Sequence, residues 1–396
     1  MKKKILSVIS LITAPILILV LMTTINIINI PNIIYTNKDI AVSSMIPRGS
    51  TLSRIKDDQN KYQIKLLGVI PVKSLEVQKV KDLELYPGGN TIGVRVSTQG
   101  VLVVGYSEIE INNQKQESPG KLGGIELGDT ILKINGEEVQ NCQDLINIIK
   151  GCNESKISVE VLRDNENLIK EVELKKEGNG EYKLGLWIRD STAGVGTMTF
   201  IDKESKKFGA LGHPITDCDT NQPFLIKHGD ILQSSIINLR RGEKGSPGEL
   251  QGIFTNENEV NGKIKTNTQS GIFGTVKDVN ILKNNSKPMK VGFRNEITEG
   301  KAKIITTIDE KGPKEYDIEI VKLLDQETPG PKSMVIKVTD PVLLEKTGGI
   351  VQGMSGSPII QNEKIVGAVT HVLINKPDTG YGIYIEWMLK DAEIIK

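Results

Sequence analysis

"GIVQGMSGSPIIQ", Gly349–Gln361, decides how this chain is read. Apolar residues run up to Gly353, Ser355 is bracketed by Gly353 and Gly356, Pro358 follows, and an apolar strand resumes. Taken alone, Gly, Ser and Pro between apolar runs mark a turn. The same turn can aim the N–H groups of Gly353 and Ser355 at one point, where two donors stabilise a tetrahedral oxyanion. A Ser hydroxyl is a weak nucleophile without an adjacent base. The chain has three histidines to choose from, His213, His228 and His371. His213, in "GALGHPITD", ends an apolar strand before a Pro turn, a place where a rigid scaffold aims a base into a cleft. His228, in "IKHGDI", reads as a turn residue at a strand edge. His371, in "VGAVTHVLI", reads as a packed or subsite histidine within a strand. A third group should orient the histidine. Asp340 in "VIKVTDPVLL" gives the order His, Asp, Ser, and Asp217 and Asp219 are the alternatives that spacing does not eliminate.

The 396 residues allow two or three domains. With 38% hydrophobic and 25% charged residues the composition is globular. Aromatics are only 4%, so the cores rest on Ile, Val and Leu, which leans towards β structure. Fifty Lys and Arg against 49 Asp and Glu leave no basic domain, which argues against nucleic acid as a partner. Cys142, Cys152 and Cys218 are too few and too scattered for a disulfide framework or a paired metal-ligand motif.

"MKKK" precedes an apolar run with no charge until Lys38. Its length points to an uncleaved N-terminal transmembrane helix, lysines inside, with a cleaved signal peptide as the rival. Residues 1–37 are therefore expected to be the anchor or signal segment. Residues 38–62 are polar, with Pro47, Arg48 and Gly49, and read as an exposed tether open to proteases.

From 63 to 180 the pattern resembles a PDZ domain, on the run Gly124–Gly136, "GIELGDTILKING", followed by a helix at about Cys142 to Lys150. Asn141 caps that helix and Leu145, Ile148 and Ile149 share one face. The resemblance implies a peptide-binding groove closed by a carboxylate-binding loop. "YPGGNTIGV" is the candidate, with Ile92, Gly93 and Val94 as its peptide-binding residues.

Residues 184–396 are strand-rich and Gly-punctuated, as in barrels or a sandwich. "SGSP" resembles the nucleophile turn of chymotrypsin-like proteases, with Ser357 in place of a Gly, and "IEWMLKDAEIIK" resembles their closing helix. The fold class expected is mainly β: an N-terminal transmembrane helix, a PDZ domain and a chymotrypsin-like double β-barrel serine peptidase domain. "ALGHPITD", "KVTDPVLLEKTGGIVQGMSGSPIIQ" and "GAVTHV…GYGIYIEWML" together resemble the stage IV sporulation protein B family, over nearly the whole chain.

That resemblance implies catalytic Ser355, His213 and Asp340, with an oxyanion hole at Gly353 and Ser355. It implies a serine endopeptidase that needs no metal or organic cofactor. Its partners would be its own tether, the membrane, and a membrane-associated regulator of an intramembrane sigma-factor-processing protease. Its place would be extracytoplasmic, in the intermembrane space around the forespore. Two rival readings remain. A quality-control protease would carry its PDZ after the peptidase, not before it, and would digest unfolded casein. A PDZ scaffold with an inactive protease-like domain would be marked by loss of a triad residue, and none is missing.

Overall fold

Two sixteen-residue strands, Thr91–Tyr106 and Leu186–Ile201, pair antiparallel and set the frame of the computed structural model. The structure describes all residues except 1, 29, 37–45, 49, 56–59, 112, 179 and 283–286. Each long strand serves two cores. Ile92, Val94 and Val96 enter one with Met198 and Ile201. Val101 and Val103 enter another, against which Leu186 and Ile188 pack. Between these halves the pairing is irregular, at Arg189/Ser191, and such a bulge re-aims a strand.

The first core is the inside of a closed ring. Thr91–Tyr106 pairs with Leu186–Ile201, then follow Lys207–Ala210, Gly271–Val276, Glu249–Thr268 and Ile226–Arg240, which pairs back to Thr91–Tyr106. A second ring runs Gly300–Thr306, Lys314–Leu323, Met334–Val338, Lys376–Tyr384, Lys364–Leu373 and Pro358–Gln361, and closes on the first of these. Period-two burial builds it: Tyr316, Ile318 and Ile320 are buried while Glu315, Asp317 and Glu319 face out. The helix Ile385–Asp391 closes this barrel with buried Ile385, Trp387, Met388 and Leu389. The expected chymotrypsin-like pair of barrels accounts for this arrangement.

The PDZ-like unit packs the helix Cys142–Gly151 on the strands Thr130–Ile134, Lys156–Arg163 and Glu166–Glu173. The Asn141 side chain caps this helix by accepting from the Asp144 N–H at 2.9 Å. Its core gathers between Val101 and Leu184. The residues before it, expected to belong to it from 63 onwards, go elsewhere: Ile70–Lys79 lies in a four-stranded sheet with Ile33–Thr36, Lys61–Leu66 and Ser50–Arg54. Of the expected tether at 38–62, residues 38–45, 49 and 56–59 lie outside the described residues, and Ser50–Arg54 is a paired strand.

Among the described residues no helix is long and apolar enough to cross a membrane, which corrects the expected N-terminal transmembrane helix. The segment Lys2–Ile28 is helical, with Pro15 inside it. Near its end Ile27 is fully buried and packs with Ile34, Ile64, Leu66, Leu75 and Val77 of the adjoining sheet.

Candidate active site

Ser355 and His213 line one cleft of about 490 Å³ between the two barrels, together with His371, Thr370 and Gly353. The Ser turn belongs to the second barrel but is held by the first. Thr197 Oγ1 donates to the Gly353 carbonyl at 2.7 Å, and Thr199 Oγ1 donates to the Gly356 carbonyl at 2.7 Å. The Thr197 N–H donates to the Ser355 carbonyl at 3.1 Å. This close approach explains Gly356. At φ +98° its backbone is left-handed, and a Cβ would lie 2.1 Å from the Thr197 carbonyl oxygen. Ser357, where the related turn has Gly, locks the loop from within: its hydroxyl and its N–H both donate to the Met354 carbonyl, at 2.7 and 2.9 Å.

The amides of Met354, Gly356 and Ser357 all donate inside the protein. Among the described residues those of Gly353 and Ser355 have no acceptor. Two free donors beside a Ser hydroxyl are what a developing oxyanion requires.

His213 is carried by the turn Leu211–Gly212, both left-handed at φ +69° and +73°. A left-handed Leu is strained, and such strain persists only where its surroundings enforce it. The His213 ring meets His371 with centroids 4.9 Å apart. Burial holds the His213 pKa below the usual imidazole value, partly offset by the Pro214 carbonyl, 2.8 Å from Nδ1. His371 is pushed down to about 4, first by desolvation, then by the charges of His213 and Lys332. Both imidazoles are neutral at pH 7.

The Ser355 hydroxyl donates to the Thr370 carbonyl at 2.6 Å rather than to His213. Asp340 is not brought to this cluster. It is the N-cap of the helix Pro341–Thr347, accepting from the Leu343 N–H at 2.9 Å and the Asp317 N–H at 3.4 Å. The alternatives are also engaged. Asp217 is buried, pairs with Arg189 and accepts from its own loop, and Asp219 pairs with Arg189 at 2.9 Å. His228 lies on the strand Ile226–Arg240, and its register partner is Ser97. Cys142 is no rival nucleophile, since burial and then Asp190 push its thiol up to about 12.

Ile92, Gly93 and Val94 pair with Gly196, Val195 and Gly194 inside the first barrel, so they do not form a PDZ loop. Gly93 makes room there for the Phe254 ring, which lies 2.6 Å from where its Cβ would be. The place of a PDZ groove is taken here by a cavity of about 310 Å³ between Leu145, Ile146 and Ile149 of the helix and Leu186, Trp187 and Ile188. Sequence reasoning also missed Thr197 and Thr199. Two buried Thr at i and i+2 in an apolar strand need acceptors on one face, and that was their signal.

The model of the SpoIVB peptidase S55 family matches residues 180–389, more than half of the chain. The chain belongs to the SpoIVB peptidase S55 family. A PDZ domain model matches residues 110–163. No curated protein sequence matches the chain. Among solved structures, the PDZ domain of an SdrC-like protein from Listeria monocytogenes is 18% identical, covering 24% of this chain and 90% of its own, at a TM-score of 0.19. The Rv3671c protease of M. tuberculosis in its active form is 11% identical, covering 51% of this chain and 74% of its own, at a TM-score of 0.30. As a member of the SpoIVB peptidase S55 family with a PDZ domain, the protein is a serine peptidase that acts on protein substrates.

Proposed function

We propose that this peptidase is a signalling protease of endospore formation, working outside the cytoplasm between the membranes around the forespore. It cuts its own chain between 38 and 62, then cleaves a membrane-associated regulator and so releases a sigma-factor-processing protease. The observation that carries the catalytic part is the placing of Ser355, His213 and two free amides in one cleft. The biological part rests on the family.

Ser355 attacks the scissile carbonyl once its hydroxyl rotates from Thr370 towards His213. His213 takes the proton and later returns it to the leaving amine, and the Gly353 and Ser355 amides hold the oxyanion. A neutral imidazole is the form able to do this, and apo sites often tighten only on binding. Asp340 takes the orienting role by family likeness alone. The helix cap it now serves must yield for it to reach His213.

The test follows the N-terminus of the wild type and of Ser355→Ala by mass spectrometry over time. Shortening within 38–62 in the wild type alone supports self-cleavage. Equal shortening of both, or of neither, removes it.

A further inference from the structure

The lining of the Ser355 cleft is notable for what it excludes. Among the described residues no Asp, Glu, Lys or Arg borders it. Its walls are apolar, with Leu211, Pro247, Ile350, Val351, Val372 and Ile374. Its titratable side chains are His213 and His371, both held neutral at pH 7. Ile374 is left 54% exposed at this cleft and adds apolar surface to its wall.

A strand end lies beside the same wall, since Thr370, His371 and Val372 border the cleft. The strand Lys364–Leu373 pairs with Pro358–Gln361 as far as Ala368, and Val369 then bonds to Gly356 and Ser357 of the Ser turn. Beyond it the Thr370 carbonyl accepts from the Ser355 hydroxyl at 2.6 Å. An extended chain can add to such a strand end, with its side chains alternating between solvent and wall. An N–H of that chain would take the Thr370 carbonyl and free the Ser355 hydroxyl at the same moment.

We propose that the cleft selects an extended peptide whose residue on the acyl side of the scissile bond is apolar, with Val372 and Ile374 setting that preference. It rests on the reading of Ser355 as the nucleophile. A charged side chain entering this cleft would lose its water and meet no partner. The chain's own segment before Ser50 offers such residues at Ile40, Val42, Met45 and Ile46.

The test is digestion of a mixed peptide library by the full chain, with Ser355→Ala as background and mass-spectrometric assignment of the cut sites. Cuts after Val, Ile, Leu or Met should exceed cuts after Lys, Arg, Asp or Glu at least about tenfold. Ile374→Asp should raise cuts after Lys and Arg by about tenfold relative to wild type. Ile374 is exposed, and circular dichroism checks that the variant is folded. Ser355-dependent cuts with no apolar bias, or an unchanged pattern in Ile374→Asp, overturn the specificity and leave the peptidase reading standing. No Ser355-dependent cut anywhere overturns both.

Discussion

The two clefts of this molecule are built from similar apolar residues and bordered by opposite chemistry. The cavity of the PDZ unit is rimmed by Glu108, Lys150, Glu177 and Lys183, whereas among the described residues no such charge borders the Ser355 cleft. The first can take a peptide of mixed character, since salt and water reach its rim. The second discriminates by refusing charge. Recognition and cutting are therefore separable by substitution, and each can be broken without the other.

Ser355→Ala should make the widest separation. Hydrolysis should fall by orders of magnitude, on the order of 10⁴ to 10⁶ in kcat, while peptide binding to the PDZ groove is unchanged by calorimetry. Asp340→Asn comes next. Asn caps helices as well as Asp does, so the melting temperature should hold, while kcat falls on the order of 10³–10⁴ if the carboxylate orients His213. Near-normal kcat would return Asp340 to its cap alone.

Thr197→Val should lower both stability and kcat. It leaves the Gly353 carbonyl without its hydroxyl donor, a cost of about 1–3 kcal/mol in denaturant unfolding, and loosens one side of the oxyanion turn. Trp187→Ala should act on the other cleft only. Trp187 is 65% exposed in the groove, and its removal should weaken peptide binding by about 1–2 kcal/mol while leaving kcat on short peptides unchanged.

The smallest effect is in pH. The depressed pKa of His213 keeps the base neutral into mild acid, so the acid limb of kcat/KM should lie below about 6.5. Stability has the matching sign. The unfolded chain binds protons at His213 and His371 more readily than the folded one. Stability is therefore lost as pH falls from about 6.5 towards the lowered folded values, and denaturant midpoints between pH 7 and 5 measure it.

Much of the site was legible because its chemistry is local. "GMSGSP" contains its own turn and donors, and three histidines left a short search for the base. Barrel strands were legible through alternation, as at Tyr316, Ile318 and Ile320. What failed depended on long-range pairing. "TIGV" and "GVLVV" are one strand whose two ends serve different cores, and no local pattern reports which sheet Ile92 joins. The apolar N-terminal run gave no sign that Ile27 would meet a sheet built from residues as far along the chain as Leu75 and Val77, where Tyr62 pairs with Leu75. At Asp340 the signal was present but outweighed. Asp before Pro at the start of an apolar run is a helix start, and the helix Pro341–Thr347 begins there.

The two sixteen-residue strands also govern how this protein can change. Recognition and cutting are not joined by a linker that could be lengthened, shortened or exchanged. They share two continuous ribbons of backbone. Because strand side chains alternate, a single inserted residue midway along either ribbon would turn one half inside out while leaving the other in place. A protein built this way cannot trade its PDZ unit for another, as beads on a string can. Its two halves must be inherited, and must fold, together.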